Sequence, residues 1–154
     1  FNYYYLLKLY TDVAPKTCAN FAALCEGTHA QRKFAGTPFH RVQPGGWVQG
    51  GDVVDGSGAH SLAALDGADT LADETFAVRH DRRGMLSMAN SGLHTNGSQF
   101  CILLQPLAWM DGKFVVFGQL IEGEAVLARI EAAACTNQRP DAPCIVTAAG
   151  RHAL

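Results

Sequence analysis

Between positions 41 and 90 the chain sets Arg41, Trp47, Gln49 and Asn90 among short apolar runs. That set offers one permanent positive charge and neutral amide groups. It holds no acid pair and no Ser/His/Asp order of the kind hydrolysis uses. Each residue alone also has a structural reading: Arg41 as a salt-bridged edge residue, Gln49 as a turn cap. Gly50-Gly51-Asp52 and Gly56-Ser57-Gly58 could mimic a phosphate loop, yet neither runs into the Gly-Lys-Ser/Thr ending that holds a nucleotide. His29, His40, His60, His80, His94 and His152 are scattered, without the i, i+4 pairing of a helical metal site, and read as polar surface or loop residues. No metal and no cofactor is expected.

The elements that must position these side chains are short. Residues 3–10 are rich in aromatics and leucine and suit a strand. Asp12-Val13-Ala14-Pro15 opens a helix over Pro15–Glu26, with Pro15 in the first turn, where a missing N–H costs nothing. Gly27 ends it, and Cys18, Phe21, Ala22, Leu24 and Cys25 form its apolar stripe. After a polar, basic loop at 28–36, β-like runs at 39–42 and 47–49 flank the Pro44-Gly45-Gly46 turn. Residues 50–69 lack a clear period and read as a long surface loop. Further strands are expected at 85–89, 100–104, 114–117 and 144–147. A second helix is expected at 122–134, with Val126, Leu127 and Ile130 on one face. Short strands with turn signals and only two helices suggest a barrel capped by helices.

Bulk properties narrow the classes. A chain of 154 residues, 48% hydrophobic and 17% charged, fits one globular domain able to bury a core without staples. Its formal net charge of −2 sets up no strong field for nucleic acid or an anionic membrane, and neither partner is expected. No apolar run reaches the roughly 18–20 residues of a membrane span. Cys18, Cys25, Cys101, Cys135 and Cys144 are an odd number with no C-x-x-C pair. They read as reduced, mostly buried thiols of a cytoplasmic protein.

Several motifs in order then carry a resemblance. Phe39-His40-Arg41-Val42, Pro44-Gly45 and Gln49-Gly50-Gly51-Asp52 lead to Leu86-Ser87-Met88-Ala89-Asn90 and Thr95-Asn96-Gly97-Ser98-Gln99-Phe100. Trp109-Met110-Asp111-Gly112-Lys113 and Val115-Val116-Phe117-Gly118 follow, and Val13-Ala14-Pro15-Lys16-Thr17 with Asn20-Phe21 precedes them. From Leu7 to about Gly150 the chain resembles the cyclophilins, peptidyl-prolyl cis-trans isomerases. The resemblance implies a mainly β fold, a closed eight-stranded antiparallel barrel capped by two α-helices. It implies binding of proline-containing peptides or proteins.

The implied chemistry is physically reasonable. Conjugation gives a peptide bond a rotation barrier of about 18–20 kcal/mol, and X-Pro bonds exchange their isomers slowly. A guanidinium aimed at the prolyl nitrogen stabilises the lone pair as it leaves conjugation. By resemblance Arg41 supplies that group, while Gln49 and the backbone of Asn90 hold the peptide main chain. Phe39, His40, Gly46, Trp47, Ala89, Gln99, Cys101, Trp109, Met110 and Phe114 take the substrate-binding positions. Trp109 matches the indole that confers cyclosporin sensitivity.

Three positions depart from the family. Gly46 and Cys101 stand where two phenylalanines wall the proline ring, and Phe114 stands for a rim histidine. Trp47 replaces a methionine and Met110 a leucine. Each lost aromatic wall removes about 1.5–3 kcal/mol of apolar burial, so turnover is expected to be slow and cyclosporin binding weak. Trp47 is expected to refill part of the space. The family's first barrel strand precedes the segment aligned with residues 6–10. An upstream segment or a partner is therefore expected to cover that edge. Gly45-Gly46-Trp47, Gly118-Gln119-Leu120-Ile121-Glu122-Gly123 and Thr136-Asn137-Gln138-Arg139-Pro140 look most similar to a divergent cilium-associated subgroup. That likeness implies an alternative, a structural subunit of the radial spokes of the axoneme.

Overall fold

The computed structural model describes residues 3–29, 32–65 and 67–153. Phe1 and Asn2, at the head of the chain, lie outside the described residues. Six antiparallel strands form one sheet: β1 (Leu6–Leu9), β2 (Arg41–Gln43), β3 (Trp47–Gly50), β4 (Met85–Met88), β5 (Phe100–Leu103) and β6 (Val116–Glu122). Their order is β1-β6-β4-β5-β3-β2. A separate hairpin joins β7 (Cys135–Thr136) to β8 (Arg139–Pro140). The fold is mainly β with two helices, as expected, and its strands form this six-stranded sheet plus a hairpin. Among the described residues β1 pairs with β6, at one end of the sheet order. The expected closing strand at 144–147 is instead an extended run. Its Val146 N–H donates to Thr37 O at 2.9 Å, and its Cys144 carbonyl accepts from Phe39 N–H at 2.8 Å. A groove of about 1460 Å³ separates that run from β1.

Helix α1 spans Pro15–Glu26, the expected bounds, and Gly27 closes it in the left-handed conformation with φ 66°. Its N-terminus has no side-chain cap of its own from Ala14. Glu74, far along the chain, supplies one: the N–H groups of Lys16 and Thr17 donate to its carboxylate at 2.9 and 2.8 Å. The Thr17 hydroxyl adds a third bond at 2.8 Å. Burial alone would raise the Glu74 pKa, but these donors hold it below the usual carboxylate range.

Helix α2 is Glu124–Glu131, shorter than the expected 122–134. Strand β6 runs on to Glu122, and Gly123 then turns at φ 97° against the Tyr5 Cα. A Cβ at Gly123 would lie 2.5 Å from that atom, so the helix starts only after the turn. The expected strand at 114–117 likewise shifts to Val116–Glu122, because Phe114 still belongs to the turn that follows Met110.

The sheet has two working faces. Inward, Val42, Val48, Leu86, Ile102 and Phe117 pack with Phe21, Phe34, Phe39 and Phe100 into the main core. Outward, Met85, Leu103, Met110 and Val116 form a second cluster that supports Trp47 and Phe114. Alternation of side chains along each strand makes this division. The loop over 51–69 is less superficial than its composition suggests. Asp52, Ala63 and Ala64 are buried, and Asn20 of α1 accepts from Ala64 N–H at 2.7 Å while donating to Gly97 O at 2.9 Å.

The distant cap on α1 has a measurable consequence. Glu74→Ala should destabilise the fold by about 1–2 kcal/mol, lowering Tm by roughly 3–6 °C in a calorimetric melt. An unchanged Tm would show that the carboxylate is replaced by water at no cost.

Candidate active site

Strand register assembles the site. Arg41 lies opposite Gln49, Gln49 opposite Cys101, and Cys101 opposite Ser87, a row across β2, β3, β5 and β4. Directly opposed residues of an antiparallel pair share a face, so this row lies on the outward side of the sheet. One step along, Trp47 sits opposite Leu103 and extends the same face.

Arg41 is half-buried and tightly held. Its Nε–H donates to Gln138 Oε1 at 2.7 Å, and Nη2 reaches Gln43 Oε1 at 3.5 Å. The guanidinium carbon lies 5.2 Å from the centroid of the Trp47 ring, a cation–π arrangement. No carboxylate pairs with Arg41 among the described residues. Its positive charge is therefore not neutralised.

A relay of amides backs this group. Trp47 Nε1–H donates to Gln49 Oε1 at 3.1 Å, and Gln49 Nε2 donates to Gln99 Oε1 at 2.8 Å. Gln99 Nε2 ends the relay on the carbonyls of Gly58 and His60, at 2.9 and 2.8 Å. The Gln49 amide is thus committed to Trp47 and Gln99. Ala89 lies alongside, its N–H donating to Gln99 O at 3.0 Å. Asn90 Nδ2 donates to Lys113 O at 3.0 Å, and its Oδ1 accepts from Gly92 N–H at 3.2 Å. Its own N–H and C=O bond to no described residue, which leaves that peptide unit open to a ligand's main chain.

Trp47, Trp109 and Phe114 form the aromatic rim. The two indoles are 6.1 Å apart, and Trp109 meets Phe114 edge-on at 6.2 Å. Trp109 is 53% exposed on the short helix Ala108–Met110, while Met110 is buried beneath it. Trp47 thus stands between Arg41 and Trp109. Cys101 is buried directly under the row, and burial pushes its thiol far up despite the pull of the Arg41 guanidinium. Gly46 is buried as well, and a Cβ there would meet Gln43 Cγ at 2.8 Å.

Two residues assigned to substrate binding lie elsewhere. Phe39 is in the main core, edge-on to Phe100 at 5.9 Å and to Tyr5 at 6.4 Å. His40 is buried against Gly58, whose φ of 92° and missing Cβ let the ring approach; a Cβ would be 2.5 Å from His40 Cδ2. His40 and His80 lie in loops, within the reading of the histidines as surface or loop residues, but both are buried. His80 is buried, with Nδ1 2.9 Å from Asp111 Oδ1 and Nε2 2.9 Å from Ser87 Oγ. Asp111 also accepts from the His80 N–H at 2.8 Å, and so the segment bearing Trp109 is pinned to β4. Nothing in the spacing of lone histidines foretells this contact. Gln138 was equally hidden, since its role depends on a hairpin folding back onto β2.

Asp52, Asp55 and His60 place ligand atoms within 4.8 Å of one another. The Asp52 carboxylate is already occupied by the N–H groups of Val54, Asp55, Gly58 and His60, at 3.0, 3.3, 2.8 and 3.2 Å. Burial would raise its pKa, but these four donors lower it instead. These bonds order the loop.

Residues 6–151 match the family model for the cyclophilin type peptidyl-prolyl cis-trans isomerase/CLD. The chain belongs to the cyclophilin family. Within that family it is 45% identical over 152 residues to the "Probable inactive peptidyl-prolyl cis-trans isomerase-like 6" of Bos taurus, covering 95% of this chain and 49% of that protein. The Homo sapiens protein of the same name is 46% identical over 151 residues, covering 94% and 48%. Peptidyl-prolyl cis-trans isomerase B of Saccharomyces cerevisiae is 46% identical over 127 residues, 82% of this chain and 61% of that one. The chain therefore spans about half the length of the first two relatives.

The buried histidines dictate a pH dependence. Burial holds His40 and His80 below the ordinary imidazole value of 6.5, against the opposing pull of Asp52 and Asp111 respectively. The folded protein then binds these protons less readily than the unfolded chain, so stability is full above pH 6.5 and falls as pH drops through the folded values. Denaturant midpoints should decline between about pH 7 and 5, and His80→Gln should flatten that slope. Asp52, Glu74 and Asp111 are held low, so their stabilisation is present above about pH 4 and is lost only as pH falls below it, a separate window. A flat midpoint from pH 7 to 5 would mean that neither imidazole stays neutral when folded.

Proposed function

We propose that this domain is a slow peptidyl-prolyl cis-trans isomerase acting on X-Pro bonds in proline-containing peptides or proteins. The observation that carries the reading is Arg41: an unneutralised guanidinium fixed by Gln138 and Trp47, on the same face as Gln49, Gln99 and Trp109. Such a charge stabilises the prolyl nitrogen's lone pair as the bond twists. A gain of 10⁵ in rate needs about 7 kcal/mol, which the guanidinium shares with a groove that fits the twisted amide better than either planar form. The yeast relative's name supports isomerisation, while the mammalian relatives' names support low turnover.

The altered walls account for slowness. Gly46 and Cys101 give a proline ring little to pack against, and Trp47 occupies space beside Arg41. The Gln49 amide, moreover, already accepts from Trp47 and donates to Gln99, which leaves a peptide its second N–H and second lone pair.

A second reading rests on a different surface. Tyr3 and Tyr4 are 61% and 60% exposed beside the unpaired edge of β1, and the groove next to them is lined by Leu7, Leu9, Val126 and Ile145. That surface supports a role as a structural subunit of a large assembly, with the axonemal radial spoke and a ciliary location as the setting the sequence suggests. Tyr5 is partly buried against the core and lines the same groove. In this reading Tyr3→Ser with Tyr4→Ser removes the protein from its complex in cells, and Arg41→Ala does not. Loss of incorporation with Arg41→Ala alone would refute it.

A protease-coupled assay on X-Pro tetrapeptides tests the isomerase. Wild type should exceed Arg41→Ala by at least about tenfold in kcat/KM; equal rates would leave only the structural reading. Cyclosporin should bind well below the affinity typical of the family. Gly46→Phe with Cys101→Phe should restore binding only when Trp47→Met also clears the indole, and tight binding by the unmodified protein would overturn this view of the pocket.

A further inference from the structure

The hairpin between β7 and β8 turns through Asn137 and Gln138, with Thr136 paired to Arg139. Both central residues have positive φ, 51° and 65°. A two-residue turn with two left-handed positions favours Asn-Gly, because only glycine takes the second position without strain. Here the second position is glutamine. A strained side chain persists only where its surroundings give a return for it, and the outlier therefore points to a role.

That role is visible in where the glutamine reaches. Its Oε1 accepts from Arg41 Nε–H at 2.7 Å, and its backbone carbonyl accepts from Val42 N–H at 2.7 Å. One residue thus holds both the guanidinium and the strand that bears it. Arg139, next in the hairpin, donates to the carbonyl of Ser57 and ties the turn to the opposite loop. Glutamine suits the position chemically. It accepts a hydrogen bond from Nε–H without adding the negative charge that a carboxylate would set against the guanidinium. With Nε engaged, the guanidinium plane is fixed over Trp47, and its Nη edge remains for an incoming amide.

We infer that Gln138 is a positioning residue: its side chain, retained against the preference of the turn, fixes the Arg41 guanidinium in the orientation used on the prolyl nitrogen. The contact itself stands on geometry alone. Its kinetic consequence rests on the isomerase reading of Arg41.

Gln138→Gly separates positioning from structure, since glycine relieves the turn while removing the acceptor. Tm should stay unchanged or rise, whereas kcat should fall by about tenfold with KM little altered, as expected for a contact that matters in the transition state. Gln138→Glu keeps an acceptor in place. In ¹⁵N-resolved NMR the Arg41 Nε–H signal should exchange slowly with solvent in wild type and in Gln138→Glu, and rapidly in Gln138→Gly. Equal exchange in all three overturns the contact. Slow exchange lost in Gln138→Gly without any change in kcat overturns the positioning role. If wild type turns over no faster than Arg41→Ala, the isomerase reading and the kinetic role fall together, while the NMR comparison still decides the contact.

Discussion

An arginine can act on a neutral amide nitrogen only if nothing else neutralises it. The half-buried Arg41 is kept in that condition by neutral groups: an amide oxygen at Nε and an indole face beneath the guanidinium. A carboxylate partner would hold the side chain more strongly, but would remove the field that the chemistry needs. The rest of the face follows from this constraint. Trp47 must be anchored to serve as a platform, so its N–H is tied to Gln49; Gln49 is in turn tied to Gln99, and Gln99 to the carbonyls of the loop. Every link is neutral, and each amide shown is hydrogen-bonded at both ends, as a partly buried network requires.

Loop order is the second dependence. Gln99 has a fixed end only because the 52–60 loop presents carbonyls at set positions. Asp52 imposes that arrangement from inside, gathering four backbone N–H groups on one buried carboxylate. Ser61 extends it by accepting from the N–H groups of Ser98 and Gln99, at 3.1 and 3.0 Å. A segment with almost no regular secondary structure is thereby as fixed as a strand. Its satisfied backbone groups, not its apolar content, make burial tolerable.

What the sequence shows and hides follows from this division between local and distant causes. Helix α1 was legible to the residue because its start and stop are local: Pro15 in the first turn, Gly27 past the last. The row Arg41, Gln49 and Cys101 was legible through ordered motifs, since pairing register brings them together once the strands form. Glu74, His80 and Gln138 were not, because each acts on a partner distant in the chain and none leaves a periodic trace. The loop at 50–69 was read correctly as a loop, but its buried residues Asp52, Ala63 and Ala64 were hidden for the same reason: aspartate looks superficial until the N–H groups it serves are known. The barrel was expected from resemblance; what the pairing shows is a six-stranded sheet with β1 on β6, and the 144–147 run bonded to residues 37–39.

The altered proline pocket shows why family membership and turnover can part company on one sheet. Stability is drawn chiefly from the inward face, where Phe21, Phe34, Phe100 and Phe117 interlock at 4.9–5.2 Å. The outward face contributes a smaller cluster around Met85, Leu103 and Met110. Because alternate residues of a strand serve opposite faces, substitutions at Trp47 and Cys101, and at Gly46 in the turn before β3, change what a proline ring would meet while leaving the inward core intact. Register protects the row through Arg41 and Gln49 in the same way. Arg41 stays opposite Gln49 whatever lines the pocket beside them, since β2 and β3 are paired through Val42 and Val48, which are buried on the inward side. A fold of this kind can keep its charged group placed long after the fit to its substrate has loosened.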